Sequence, residues 1–250
     1  MIIERRSRWV ISIRRDGDIH LRVFCFPYAG AGASLFRAWA PSLPEGLELC
    51  AVQLPGREDR LPETPYRSLA TLVPRVVAEL DPFLDRPFAL FGHSVGALVA
   101  YEMARSLCAS GRTPVHLFVS GQRAPHLPRR MPPRHALPPA EFEAALARLD
   151  GTPTEILQDK EVMAAIVPLL RADFSLEETY DHAHGHPLEV PITVFGAADD
   201  NEANLDELNA WQLHCRHACQ VRIFQGNHFY LRTNPAPVVE AIRSVLAAPR

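Results

Sequence analysis

The stretch Pro87 to Ala104, PFALFGHSVGALVAYEMA, changes its hydrophobic habit in the middle. Phe88 to Phe91 is an unbroken apolar run of the kind a strand buried on both faces requires, whereas Ala97 to Leu107 places its apolar side chains at helical steps. At the junction stands Gly92-His93-Ser94-Val95-Gly96. With 13 Gly and 11 Ser in the chain, a GxSxG pattern is expected by chance only ~0.03 times, and the strand-to-helix setting lowers that further. A serine on so sharp a turn sits in a strained backbone conformation, and side chains at the two flanking glycines would collide with strand and helix. Ser94 is thereby raised above the sheet. The next amide, that of Val95, points from a helix N-terminus towards whatever the serine attacks, where it would stabilise an oxyanion.

Working outward, short runs of Val, Ile, Phe and Leu alternate with helical periodicity, the pattern of a mostly parallel sheet covered by helices. Strands are predicted at Arg8–Ile13, Leu21–Phe26, Leu47–Val52, Phe88–Phe91, Val115–Val119, Ile192–Phe195 and Val221–Phe224. Leu69, Leu72, Val73, Val76, Val77 and Leu80 mark a helix packing one face on that sheet. From about Pro125 to Pro187 the alternation stops. This insertion opens with RAPHLPRRMPPRHALPPAEF, whose prolines oppose regular helix, and continues with predicted helices at Glu141–Leu149, Glu161–Leu170 and Ser175–Tyr180. The expectation is one α/β domain over residues 1–250 with a helical cap inserted at about 125–187.

Composition excludes several classes. Of the 250 residues 47 % are apolar and 22 % charged, and 26 Lys plus Arg against 29 Asp plus Glu leave a formal charge of -3, so nucleic acid is not an expected partner. No run approaches the ~18 apolar residues of a membrane span. The six charges before Asp16 spoil a signal peptide, and five cysteines over a long chain fit reduced thiols. A cytoplasmic monomer is expected.

A serine alcohol needs a base, and the base needs an acid to orient it. QGNHFYL places His228 just after the last predicted strand, and GAADDNEAN after Ile192–Phe195 offers Asp199 and Asp200, one of which should receive the histidine N–H. A second oxyanion donor is expected from the loop VFCFPYAGAGAS, where Ala29, Gly30, Ala31 and Gly32 let backbone amides approach a ligand. His214, Cys215, His217 and Cys219 crowd together, with the two cysteines on one expected helix face, but no second cluster completes a metal site. His182, His184 and His186 read as solvated. Arg57, Arg60, Arg123, Arg129, Arg130 and Arg134 fall in loops around the expected mouth of the site. Solvated charge is their default reading; the sharper one is that some steer an acidic partner and hold a phosphate. Trp211 reads as packing.

Six blocks in order make the chain resemble the stand-alone type II thioesterases that accompany polyketide synthases and non-ribosomal peptide synthetases: FPYAGAGAS, AVQLPGRE (51–58), PFALFGHSVGALVAYEMA, VHLFVSGQRAP (115–125), PITVFGAADD with Trp211 downstream, and QGNHFYL. The likeness runs almost end to end. It implies an α/β-hydrolase fold with a helical lid, and hydrolysis of acyl thioesters on the phosphopantetheine arm of acyl or peptidyl carrier proteins, without metal or cofactor. It also implies Ser94 as nucleophile, His228 as general base, and Ala29 and Val95 as the oxyanion-hole amides. For the acid, a family glycine three residues upstream would select Asp199, whereas the register from PITVF and back from Trp211 selects Asp200, which is the expectation here. Asn201-Glu202 stands where relatives carry a small or proline-led turn. Oxygen-ester hydrolysis, acyl transfer to an amine or alcohol, and an inert binding protein on the same fold remain open alternatives.

Overall fold

The computed structural model describes residues 1–149, 151–217 and 219–247. Its strands β1 (Ile2–Arg5), β2 (Val10–Arg14), β3 (Leu21–Phe26), β4 (Leu47–Val52), β5 (Phe88–His93), β6 (His116–Ser120), β7 (Ile192–Ala197) and β8 (Gln220–Phe224) form one sheet in the order β1-β2-β4-β3-β5-β6-β7-β8. β2 runs antiparallel to both β1 and β4, and every later pair is parallel, with Phe24 opposite Leu90 and Phe91 opposite Phe118. β1 was not expected. Its IIER is an exposed edge strand whose charges erase the apolar alternation, and pairing with Val10–Arg14 makes it a strand.

Successive residues of the central strands feed two cores, as the period of two demands. Phe24, Phe26, Leu90, Leu117, Val119 and Val194 pack against α1 (Leu69–Leu80) and α2 (Val95–Ala109). Val23, Cys25, Ala89, Phe91, Phe118 and Phe195 face the other way, towards the short-pitch helix Ala33–Ser42. Both faces of the sheet are thus covered, and β5, the strand that leads into Ser94, is buried along its whole length.

Between β6 and β7 the chain makes α3 (Pro139–Leu149), α4 (Thr154–Gln158) and α5 (Lys160–Glu178). Phe142 of α3 with Met163 and Leu170 of α5 begins a small core of its own. The proline-rich approach yields only a single short-pitch turn, Arg134–Ala136. The two helices expected at 161–170 and 175–180 are one. α5 is capped by Asp159, which accepts from the Glu161 and Val162 amides at 3.0 and 3.1 Å, and it runs on through Pro168. The apparent break is Asp173, a polar residue on the buried face that interrupts the apolar period. The remaining α-helices among the described residues are α6 (Leu205–Asn209), α7 (Tyr230–Thr233) and α8 (Pro235–Ala247), the last of which packs Val238, Val239 and Ile242 into the second core. Among the described residues no helix is long and apolar enough to cross a membrane.

α2 seats closely on β3. A Cβ at Gly96 would lie 2.4 Å from the Phe26 carbonyl oxygen and 2.5 Å from that of Pro27, so only glycine permits this approach. Gly96→Ala is expected to cost at least about 1–3 kcal/mol, because the clash is with backbone that cannot rotate away. Chemical denaturation of the variant checks this, and an unchanged midpoint contradicts it.

Candidate active site

Ser94 has φ 53° and ψ -128°, one of two non-glycine residues with positive φ among those described. The conformation is strained for a residue with a Cβ, and neighbouring structure fixes it. A Cβ on Gly92 would stand 2.0 Å from the Gly96 oxygen, so the turn closes only because Gly92 lacks a side chain. The Ser94 amide donates to the Ser120 carbonyl at 2.8 Å, tying the turn to the end of β6. Val95 begins α2, and its amide is one of the N–H groups that a helix N-terminus leaves without an intrahelical acceptor.

His228 lies in the loop after β8, where Gly226 at φ 110° turns the chain. The Gly226 carbonyl accepts from the Asp199 amide at 3.0 Å, which joins this loop to the one after β7. Asp200 faces His228: Nδ1 lies 2.9 Å from Oδ2 and 3.1 Å from Oδ1. With the ring neutral, Nδ1–H is the donor to the carboxylate and Nε2 is left as a base. Asp199 is exposed and makes no such contact. Oδ1 of Asp200 also accepts from the Glu202 and Ala203 amides at 2.8 and 3.3 Å. The Asn201-Glu202 turn, the departure from the family pattern, therefore orients the carboxylate by wrapping its backbone around it.

The loop after β3 carries Ala29 beside Gly30 at φ 79°, and closes with an Ala31 amide to Tyr28 carbonyl bond of 3.1 Å. Ser94 and His228 line a cavity of about 930 Å³ together with Gln122, Arg134 and Glu177. A second cavity of about 60 Å³ shares Ser94 and His228 and adds Tyr28 and Ala29. Ser94, His228 and Ala29 are thus brought to one chamber roofed by α3 and α5, and Asp200 stands behind His228.

The arginines divide. Arg123, Arg129, Arg130 and Arg134 line the large cavity, where Arg134 pairs with Glu202 at 2.8 Å and Arg123 and Arg130 each meet Glu207 at 3.0 Å. Arg57 and Arg60 do not belong to its mouth; they are 4 % and 5 % exposed. Arg60 covers the Trp9 ring, and Arg57 pairs with Asp173. Glu177 lines both cavities and accepts from the Gln122 side-chain Nε2 at 3.1 Å; burial, with Glu202 and Glu178 nearby, pushes its carboxyl above the usual range. No sequence signal set it apart from the other helical glutamates. His93 occupies a variable position of the serine motif, so the pattern assigns it no role. It is buried, shares a hydrogen bond with Ser120 at 2.8 Å, and lies 4.9 Å ring to ring from His228.

Cys215 and Cys219 share no helix, since Cys215 closes a short-pitch turn and Cys219 approaches β8. Among the described residues no group of three or more His, Cys, Asp and Glu could hold a metal ion. His182 is not free in solvent; its ring packs on His214 at 4.9 Å, whereas His184 and His186 are exposed. Trp211 is fully buried, with Nε1 donating to the Gln122 carbonyl at 2.7 Å.

A mostly parallel sheet flanked by helices, with a serine on a strained turn after its central strand, defines the α/β-hydrolase fold. The chain belongs to the thioesterase family: the sequence profile described as "Thioesterase domain" matches residues 21–246, and the protein is a hydrolase of thioesters. It is 40 % identical over 250 residues to the gramicidin S biosynthesis protein GrsT of Aneurinibacillus migulanus, covering 98 % of each chain. Among solved structures it is similar to the thioesterase RedJ of the prodiginine pathway in Streptomyces coelicolor, with TM-score 0.85, 37 % identity and 90 % of each chain covered. It is also similar to the type II thioesterase BorB of the borrelidin cluster, with TM-score 0.87, 31 % identity, and 96 % of this chain and 98 % of that one covered.

Burial holds two histidines neutral. It pushes His93 well below the ordinary range, with His228 adding to the effect, and pushes His214 down to about 3, with His182 and His126 adding. In the unfolded chain each titrates near ~6.5. Below that value the unfolded state binds more protons than the folded one, so stability is full above it and is lost as pH falls. The melting temperature is therefore expected to drop between pH 7.5 and pH 5, and His214→Gln to flatten the drop; a level profile for the unaltered protein contradicts this.

Proposed function

We propose that the protein hydrolyses acyl chains from the phosphopantetheine arm of acyl or peptidyl carrier protein domains, in editing or release during polyketide or non-ribosomal peptide synthesis, through a Ser94–His228–Asp200 triad. The observation that carries the triad is the convergence of a strained serine and an aspartate-paired histidine on one cavity of about 930 Å³. That volume suits an acyl chain with part of its arm. The biosynthetic settings of GrsT, RedJ and BorB support the substrate class. The cysteines are unbridged, which supports a cytoplasmic place of work.

In this mechanism Ser94 Oγ attacks the thioester carbonyl carbon while His228 Nε2 takes its proton. Asp200 holds the ring's other nitrogen and stabilises the imidazolium that forms. The oxyanion accepts from the Ala29 and Val95 amides, neither of which has a protein acceptor among the described residues. Collapse breaks the carbon–sulfur bond, and the pantetheine thiolate leaves with the proton from His228. Water, deprotonated by the same nitrogen, then attacks the acyl-serine and frees the acid and Ser94. Helices α3 to α5 act as a lid over the bound chain that limits the water reaching it.

Free acid released from an acyl-loaded carrier protein, beside matched pantetheine thioester and oxygen ester, is the direct test. The carrier-bound thioester is expected to react fastest, and Ser94→Ala to lose more than about 10³-fold. Faster oxygen-ester hydrolysis, or an active Ser94→Ala, contradicts the proposal. Asp200→Ala is expected to lower kcat by about 10³–10⁴-fold, while Asp199→Ala changes it by less than about twofold because its exposed carboxylate touches nothing in the site. Equal losses in the two variants contradict the assignment of the acid.

A further inference from the structure

The most deeply buried ion pair among the described residues joins the inserted helix α5 to the segment after β4, beside the loop that carries Ala29. Asp173 on α5 is 1 % exposed and Arg57 is 4 % exposed. The guanidinium grips the carboxylate with two parallel bonds, Nη2 to Oδ1 at 2.8 Å and Nη1 to Oδ2 at 3.0 Å. Both partners also hold the loop. Oδ2 of Asp173 accepts from the Gly30 amide at 2.7 Å, and Arg57 Nη1 donates to the Ala31 carbonyl at 3.0 Å.

Burying two charges is costly, and a well-packed apolar pair of similar volume serves stability as well or better. The geometry here does something an apolar pair cannot: it fixes two peptide groups on consecutive residues of a loop rich in glycine. Gly30 takes φ 79° and lies so close under α5 that a Cβ there would stand 2.6 Å from Leu170 Cδ2. With the Gly30 amide bonded to Asp173 and the Ala31 amide bonded to Tyr28, the Ala29 amide is the one N–H of residues 29 to 31 left for a ligand.

We infer that Asp173 is a positioning residue for catalysis, which, locked by Arg57, aims the Ala29 amide at the oxyanion, so that the oxyanion hole is complete only while α5 is docked. The inference rests on the proposed role of Ala29 in thioester hydrolysis. A donor displaced by even a fraction of an ångström binds the ground-state carbonyl about as well but serves the tetrahedral oxyanion poorly.

The test uses the full chain, a pantetheine thioester substrate, and two pantetheine ligands: a trifluoromethyl ketone, which adds Ser94 Oγ to form an oxyanion, and an unreactive thioether. Arg57→Met/Asp173→Leu removes both charges, so neither is left buried alone, and Asp173→Asn is the milder variant should the double one not fold. In the folded variants kcat is expected to fall, by about 10²-fold in the double variant, with KM within about twofold. Ketone affinity should fall in proportion, and thioether affinity should hold. A folded variant that keeps its kcat overturns the inference, as does one that loses affinity for both ligands alike, since a merely structural role lowers them together. Ser94→Ala in the same assay separates the two levels: if it stays active the triad proposal fails, and if it is inactive while the Asp173 variants are not, only the role of Asp173 fails.

Discussion

The backbone at Ser94 is the constraint around which the rest is arranged. Holding a residue with a Cβ at φ 53° costs of order 1–3 kcal/mol, and neighbouring structure must supply it. The supply is visible on each side. Gly92 and Gly96 clear the space, the Ser120 carbonyl takes the Ser94 amide, and α2 lies against the carbonyls of Phe26 and Pro27. β5 is buried along its length between β3 and β6, so the turn has no slack in which to relax. The strain therefore presents the serine hydroxyl at the end of a rigid strand, with the first amide of α2 beside it.

Around that fixed point the loops are braced against one another. The segment after β4 supports the Ala29 loop from below: Gln53 Oε1 accepts from the Ala33 amide at 2.7 Å and Glu58 Oε1 from the Ser34 amide at 3.1 Å. Glu58 holds its own positive φ of 49° to do so, and its carboxylate occupies the space a side chain on Gly32 would fill. On the far side Asp200 is held by backbone amides and turns His228 by its Nδ1, with His93 kept neutral behind the imidazole. Ser94, the Ala29 loop and His228 are thus each oriented by a partner from a different strand end or loop, while Asp200 is held by amides of its own loop. That arrangement suits loops which emerge side by side at the same end of a parallel sheet.

Much of this was legible in the chain. β3 and β4 fall at their expected bounds because Pro27 stops the one run and Pro44-Glu45-Gly46 opens the other, and Ser94, His228 and the Asp199–Asp200 pair could be placed because each follows a strand of this sheet. Asp200 could be preferred because strand register is a stricter ruler than the position of a glycine. Inside the fold, what stayed hidden has one physical cause, burial of charge. Arg57 and Asp173 are 116 positions apart, each reads alone as a solvated residue, and only contact reveals the pair. Asp173 also broke the period of α5, so one helix read as two. β1 was lost for the opposite reason: an exposed edge strand can be charged and still pair.

The central claim is that Ser94 carries the acyl group between the thioester and water. Rapid quenching of the enzyme with acyl-loaded carrier protein, followed by intact mass and peptide mapping, reads that intermediate directly. The account predicts a transient mass increase equal to the acyl group less one hydrogen, confined to the peptide that contains Ser94 and absent in Ser94→Ala. Acid released with no acylated enzyme at any time, or acylation mapped to another residue, would contradict it.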